Sequence, residues 1–112
     1  MAAPVQLLWE QIGAAIVAIN TLLPINSNAV QKCNKVIVYI NFGAATTAGT
    51  FVVEVSHDPD FTGTWETIGT VAWAAANSAK SVTVNGPHQA MRVRSSVAVV
   101  GGSANVWARV LA

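Results

Sequence analysis

Apolar and polar residues alternate with a period of two in several short stretches of the chain. In Phe51–Ser56, Phe51, Val53 and Val55 fall on one side and Val52, Glu54 and Ser56 on the other. That period is the mark of a strand with one buried face. Asp58-Pro59-Asp60 follows, with Gly63 three residues on. Asp and Pro start turns and Gly tolerates positive φ, so the chain is expected to reverse here. A second strand is expected from Thr64, carrying Trp65 and Ile68, which makes the stretch a hairpin.

The same alternation recurs downstream. Val82 and Val84 are expected to point inward from Ser81–Asn85, and Met91 and Val93 inward from Ala90–Ser95, with Arg92 and Arg94 on the opposite face. Val106, Ala108 and Val110 form the inward set of Asn105–Val110, leaving Trp107 and Arg109 outward. Val36–Ile40 is a β-branched run that predicts a central strand buried on both faces or nearly so. The strand from Trp65 continues to Trp73, with Gly69 a candidate bulge. Gly43–Gly49, Ala74–Lys80 and Gly86-Pro87 read as connections, and Gly101-Gly102 as a hairpin turn. Seven or eight short strands with turns between them predict an all-β fold. The expected architecture is an antiparallel β-sandwich, jelly-roll or immunoglobulin-like.

The N-terminal stretch departs from this pattern. Val5, Leu8, Trp9, Ile12, Ile16 and Ile19 fall at helical spacing after Pro4. Residues 4–13 therefore read as a short helix or docking arm, residues 15–23 as a strand, and Pro24–Asn28 as a turn. The expected division is an N-terminal arm over 1–13 and a sandwich domain over 14–112.

Composition changes the picture in one respect. Apolar residues make up 53% of the 112 residues and charged residues 10%, against about 25% charged in an ordinary soluble domain. So little charge favours a protein whose surface is partly covered by other chains, over a compact Ala/Val-rich monomer. The six basic residues are scattered and the net charge is +1, so nucleic-acid binding is not expected. Cys33 is the single cysteine, which rules out an internal disulfide. The continuous apolar run ends at Ile19, too short for the ~20 residues of a bilayer span, so no membrane segment is expected. The N-terminus also lacks the basic region of a signal peptide.

Candidate chemistry is sparse. His57, Asp58 and Asp60 are the one metal-like cluster, and a turn in which an Asp bonds its own backbone explains them better. Glu54 and Glu66 are candidate cross-strand carboxylates, but both occupy positions expected to face solvent. No nucleophile elbow and no glycine-rich phosphate loop is present. The expectation is a non-enzymatic protein with no cofactor and no bound metal. Trp65, Trp73, Trp107 and Tyr39 form a candidate sugar-stacking platform; the alternative is that they cover the core edge and a subunit contact. Leu7, Leu8, Trp9, Arg92, Arg94, Trp107 and Arg109 are the candidate protein-interface residues. Among them, Arg92 and Arg94 are also candidates to pair with Glu54 or Glu66.

Phe51–Trp65, followed by Ser81-Val-Thr-Val-Asn-Gly86, Met91-Arg-Val-Arg94 and the Gly-Gly hairpin, resembles small β-sandwich proteins of bacteriophage virions. In those chains a Val-Glu-Val-Ser strand, a Trp on the return strand and an Arg-Val-Arg strand recur in this order. The resemblance spans about residues 35–112. It implies a virion structural protein assembled in the host cytoplasm, with capsid decoration (cement) the leading role and a neck, tail or fibre component the alternative. It also implies a homo-oligomer, with a trimer favoured, and a phage capsid protein or other virion protein as partner. A carbohydrate-binding module is the rival class.

Overall fold

The computed structural model describes residues 9–25, 27–57, 64–74 and 79–111. Among them, eight strands and one helical turn follow in chain order. They are β1 (Glu10–Ile16), β2 (Leu22–Ile25), α1 (Ser27–Val30), β3 (Lys35–Phe42), β4 (Ala48–Ser56), β5 (Glu66–Ala72), β6 (Ala79–Asn85), β7 (Ala90–Val100) and β8 (Ala104–Leu111). Two four-stranded antiparallel sheets stack into a sandwich. One, sheet A, has the order β1-β8-β3-β6; the other, sheet B, has the order β2-β7-β4-β5. Strand 1 thus lies beside 8, 2 beside 7, 3 beside 6 and 4 beside 5, as if one long hairpin had been rolled up. This is the jelly-roll order, and it decides between the two expected sandwiches: an immunoglobulin domain groups its strands as ABED and CFG.

Alternation explains the core. On β3, Val36, Val38, Ile40 and Phe42 are wholly buried. On β4 the inward set is Phe51, Val53 and Val55, on β7 Met91 and Val93, and on β8 Val106, Ala108 and Val110. Phe42 and Phe51 meet across the sandwich with ring centroids 5.9 Å apart, tilted by 51°. The expected bulge on the β5 strand is present. Gly69 faces Val53 and Thr67 faces Glu54, so Ile68 is the extra residue. At the Gly101-Gly102 turn, Gly101 has φ +85° and a side chain there would meet the Ala45 carbonyl.

The structure corrects the reading of the first 30 residues. Residues 10–13, expected as helix or arm, are the first half of β1, paired with β8; residues 4–8 lie outside the described ones. The pairing of β1 skips between Gln11 and Gly13 and again between Gly13 and Ile16, and Ala15 sits at φ 51°. These irregularities place the buried positions at Gly13 and Ile16, three apart, which imitates a helical period. The strand expected over 15–23 is instead the end of β1, a break, and the start of β2. Pro24, expected in a turn, belongs to β2, an edge strand, where a missing N–H is tolerated. Val36–Ile40 is the interior strand expected, but only one face is fully buried. Ile37 and Tyr39 are half-buried on the outer face of sheet A.

Candidate functional site

The outer face of sheet A carries an aromatic cluster. Alternation along β8 puts Trp107 and Arg109 outward together. Register then sets Tyr39 of β3 directly opposite Trp107, and Ile37 opposite Arg109. Gln11 of β1 flanks Trp107 on its other side. Trp9, just ahead of β1, folds back over this face. Its ring lies 6.0 Å from that of Tyr39 at 60°, and the Arg109 guanidinium carbon sits 5.9 Å from the Trp9 centroid. Trp9, Tyr39 and Trp107 line an open depression of about 430 Å³. Trp9 remains 41% exposed. The Arg109 Nε is buried and has no hydrogen-bond partner among the described residues. The arrangement offers flat apolar rings beside a cation, suited to a protein side chain or to a stacked ring.

The outer face of sheet B is a closed polar network. Glu54, expected to face solvent, is 5% exposed. Its neighbours explain the difference: β4 lies between β5 and β7, and the long side chains of β7 close over it. Arg92 Nε donates to Glu54 Oε1 at 2.8 Å, and Arg94 Nε donates to Oε2 at 3.2 Å. Arg94 Nη1 also donates to Asn20 Oδ1 at 3.1 Å. The Arg92 guanidinium stacks 4.0 Å above the Trp65 ring. Arg92 and Arg94 therefore hold Glu54, one of the two pairings expected from the sequence.

The platform expected from Trp65, Trp73, Trp107 and Tyr39 is not assembled. Trp65 lies under Arg92 on sheet B, and Trp73 packs against the core. Only Tyr39 and Trp107 share a face, and Trp9 is the third ring there. Leu7 and Leu8, like Asp58 and Asp60 of the metal-like cluster, lie outside the described residues. His57 has a partner that sequence reasoning missed. Its Nε2 is 3.0 Å from Nδ1 of His88, and Nε2 of His88 is 2.7 Å from the Asn85 carbonyl. The β4–β7 register, which pairs Ser56 with Ala90, is what brings the two rings together.

No family model matches the sequence, and no curated protein matches it. Solved structures do match. The chain resembles the PBSX exported protein XepA with a TM-score of 0.70 and 17% identity, over 100% of this chain and 39% of that one. The fold is shared. The chain spans about two-fifths of the length of that protein. More distant likenesses are to Bacillus endospore appendages that form disulfide-linked pili (TM-score 0.47, 18% identity, 94% of this chain and 88% of that chain). Another is the carbohydrate-binding module CBM6cm-2 of Cellvibrio mixtus lichenase 5A in complex with cellotriose (0.41, 15%, 93% and 70%).

Proposed function

We propose that the chain is a non-enzymatic structural module of a bacteriophage virion, and that it decorates the capsid as a cement protein. The observation that carries this reading is the cluster of Trp9, Tyr39 and Trp107 beside Arg109 on the outer face of sheet A. A sheet face turned to water is ordinarily polar, whereas aromatic residues and arginine are the groups enriched where proteins meet. Support also comes from the strand-and-turn resemblance to virion sandwiches, and from the fold shared with the PBSX exported protein XepA. Self-association rests on the apolar excess and on exposed Val17, Ile19, Leu22 and Val97, and a trimer is favoured on the virion resemblance alone.

A packed aromatic anchor contributes about 2 kcal/mol or more, so Trp107→Ala or Trp9→Ala should weaken attachment at least about 30-fold. Each variant is checked for its fold by circular dichroism and titrated onto undecorated capsids. Undiminished binding by both variants refutes the face as the attachment surface. Binding to isolated necks, tails or fibres instead of capsids moves the protein to that part of the particle. The same three rings favour a second reading, carbohydrate binding by stacking on sugar faces. Retention on a polysaccharide, lost in Trp107→Ala, would select it.

A further inference from the structure

The pair His57 and His88 sits away from the aromatic face, and nothing in the virion reading uses it. His57 directly follows β4, and His88 lies in the turn between β6 and β7. The backbone N–H of His88 donates to the Val30 carbonyl at 3.2 Å, which anchors that turn to α1. The rings are 5.1 Å apart between centroids and tilted by 55°, with the facing nitrogens 3.0 Å apart. They open onto a surface depression of about 350 Å³ whose other walls are Gln31, Pro87 and Gln89. Among the described residues, no lysine or arginine lines it.

We propose that His57 Nε2 and His88 Nδ1 form a site for a first-row divalent cation of the Ni²⁺ or Cu²⁺ kind. The first argument is spacing. With metal–nitrogen bonds of about 2.0–2.1 Å, two imidazoles on one ion lie about 2.9 Å apart at a right angle and about 3.3 Å apart at a tetrahedral one. The 3.0 Å found here is held by an N–H···N bond, with centroids 5.1 Å apart and the nitrogens nearly head-on. A turn of the exposed His57 ring brings both lone pairs onto one ion at little change in spacing, and imidazole affinity rises toward Ni²⁺ and Cu²⁺. The second argument is the outer hydrogen bond. A ligating imidazole usually donates its other N–H to a carbonyl or carboxylate, which fixes the tautomer. The Asn85 carbonyl only accepts, so His88 Nε2 donates to it, and in the neutral ring its Nδ1 carries the lone pair. That lone pair now accepts the N–H of His57 Nε2. On metal binding the His57 proton moves to its own Nδ1, and both facing nitrogens become ligands with no change in total proton count. The two imidazoles are the whole ligand set proposed, and water completes the coordination shell. Such an ion ties the end of β4 to the β6–β7 turn.

The test uses the untagged full chain, freed of metal with a chelator, and NiCl₂ as probe. Calorimetry should show one Ni²⁺ per chain. At an excess of tenfold over Kd, Tm should rise by about 4–8 °C. His57→Gln and His88→Gln, each confirmed folded by circular dichroism, should lose affinity tenfold or more. His57 is exposed and lies outside the β6–β7 turn, so His57→Gln removes a ligand while the turn keeps its bonds from His88 to the Asn85 and Val30 carbonyls. Absence of a Ni²⁺ heat in the wild-type chain, or equal affinity in His57→Gln, overturns the proposal.

Discussion

Replacing Glu54 by glutamine keeps the side-chain volume and removes the charge that two arginines share. Both carboxylate oxygens are used, at 2.8 Å by Arg92 and 3.2 Å by Arg94. Breaking a fully buried ion pair by removing one partner costs about 3–5 kcal/mol, because the other charge is left without compensation. Here the Glu54 side chain keeps 7% of its surface, but Arg92 keeps 21% and Arg94 28%, so both guanidinium groups partly regain water. The substituted amide still accepts through its one oxygen, while its N–H₂ turns toward an arginine donor. The expected loss is therefore about 2 kcal/mol, below the fully buried figure and above that of an exposed pair. For a domain near 100 residues that is a fall in Tm of roughly 8–16 °C. Urea unfolding followed by tryptophan fluorescence measures it, and Glu66→Gln is the exposed control, expected within about 0.5 kcal/mol of wild type. Replacing Glu54, Arg92 and Arg94 together by Leu, Met and Met should recover most of the loss, since a packed apolar cluster replaces the buried charge. A Glu54→Gln variant as stable as the Glu66→Gln control refutes the claim that this network holds β4 to β7.

Two further outcomes follow from Cys33. A Cβ on Gly86 would overlap the Cys33 sulfur and come within 3.1 Å of its carbonyl oxygen, so Gly86→Ala should cost about 1–3 kcal/mol in denaturant unfolding. Adding Cys33→Ala should relieve part of that cost, giving a coupling of about 0.5 kcal/mol or more in the double-mutant cycle. Burial raises the pKa of the Cys33 thiol, whose Sγ donates to the Val30 carbonyl at 3.2 Å. The folded state then holds its proton at a pH where the unfolded chain gives it up, so this contribution to stability is full below about pH 9 and lost as pH rises beyond it. Unfolding measured from about pH 7 to 10.5 should show a steeper decline in wild type than in Cys33→Ala, and thiol reagents should label Cys33 only as the chain opens.

The strands that alternate without interruption were legible from the chain alone. Val82 and Val84, Met91 and Val93, and Val106, Ala108 and Val110 all point where their period of two sends them, because regular pairing preserves that period. The first strand was not legible, because its two register skips and the positive φ of Ala15 break the period. Glu54 was misplaced for a different reason. Alternation says which face a residue takes, and it correctly put Glu54 opposite Val53 and Val55. Whether that face is wet depends on the side chains of β7, which pairing alone brings near. The aromatic cluster has the same limit. Trp107 and Arg109 were readable as outward, but the third ring came from Trp9, and joining it to Tyr39 needs the β1–β8–β3 order. His88 escaped notice because its link to His57 exists only through the register of β4 on β7.

The rolled-hairpin order also governs when the molecule can fold. β8 comes late in the chain yet lies inside sheet A, hydrogen-bonded to β1 on one side and β3 on the other. During synthesis β1 and β3 leave the ribosome long before the strand that joins them. Until β8 arrives, both hold open edges, the state in which β-rich chains pair with the wrong neighbour. Non-local pairing of this kind also makes closure slow. The β4–β5 hairpin needs no later strand and can form first. Sheet A waits for β8, so a chain cut short before Ala104 cannot present the face built from Trp9, Tyr39 and Trp107. On the proposed reading of that face, an unfinished copy lacks the surface by which a finished one attaches.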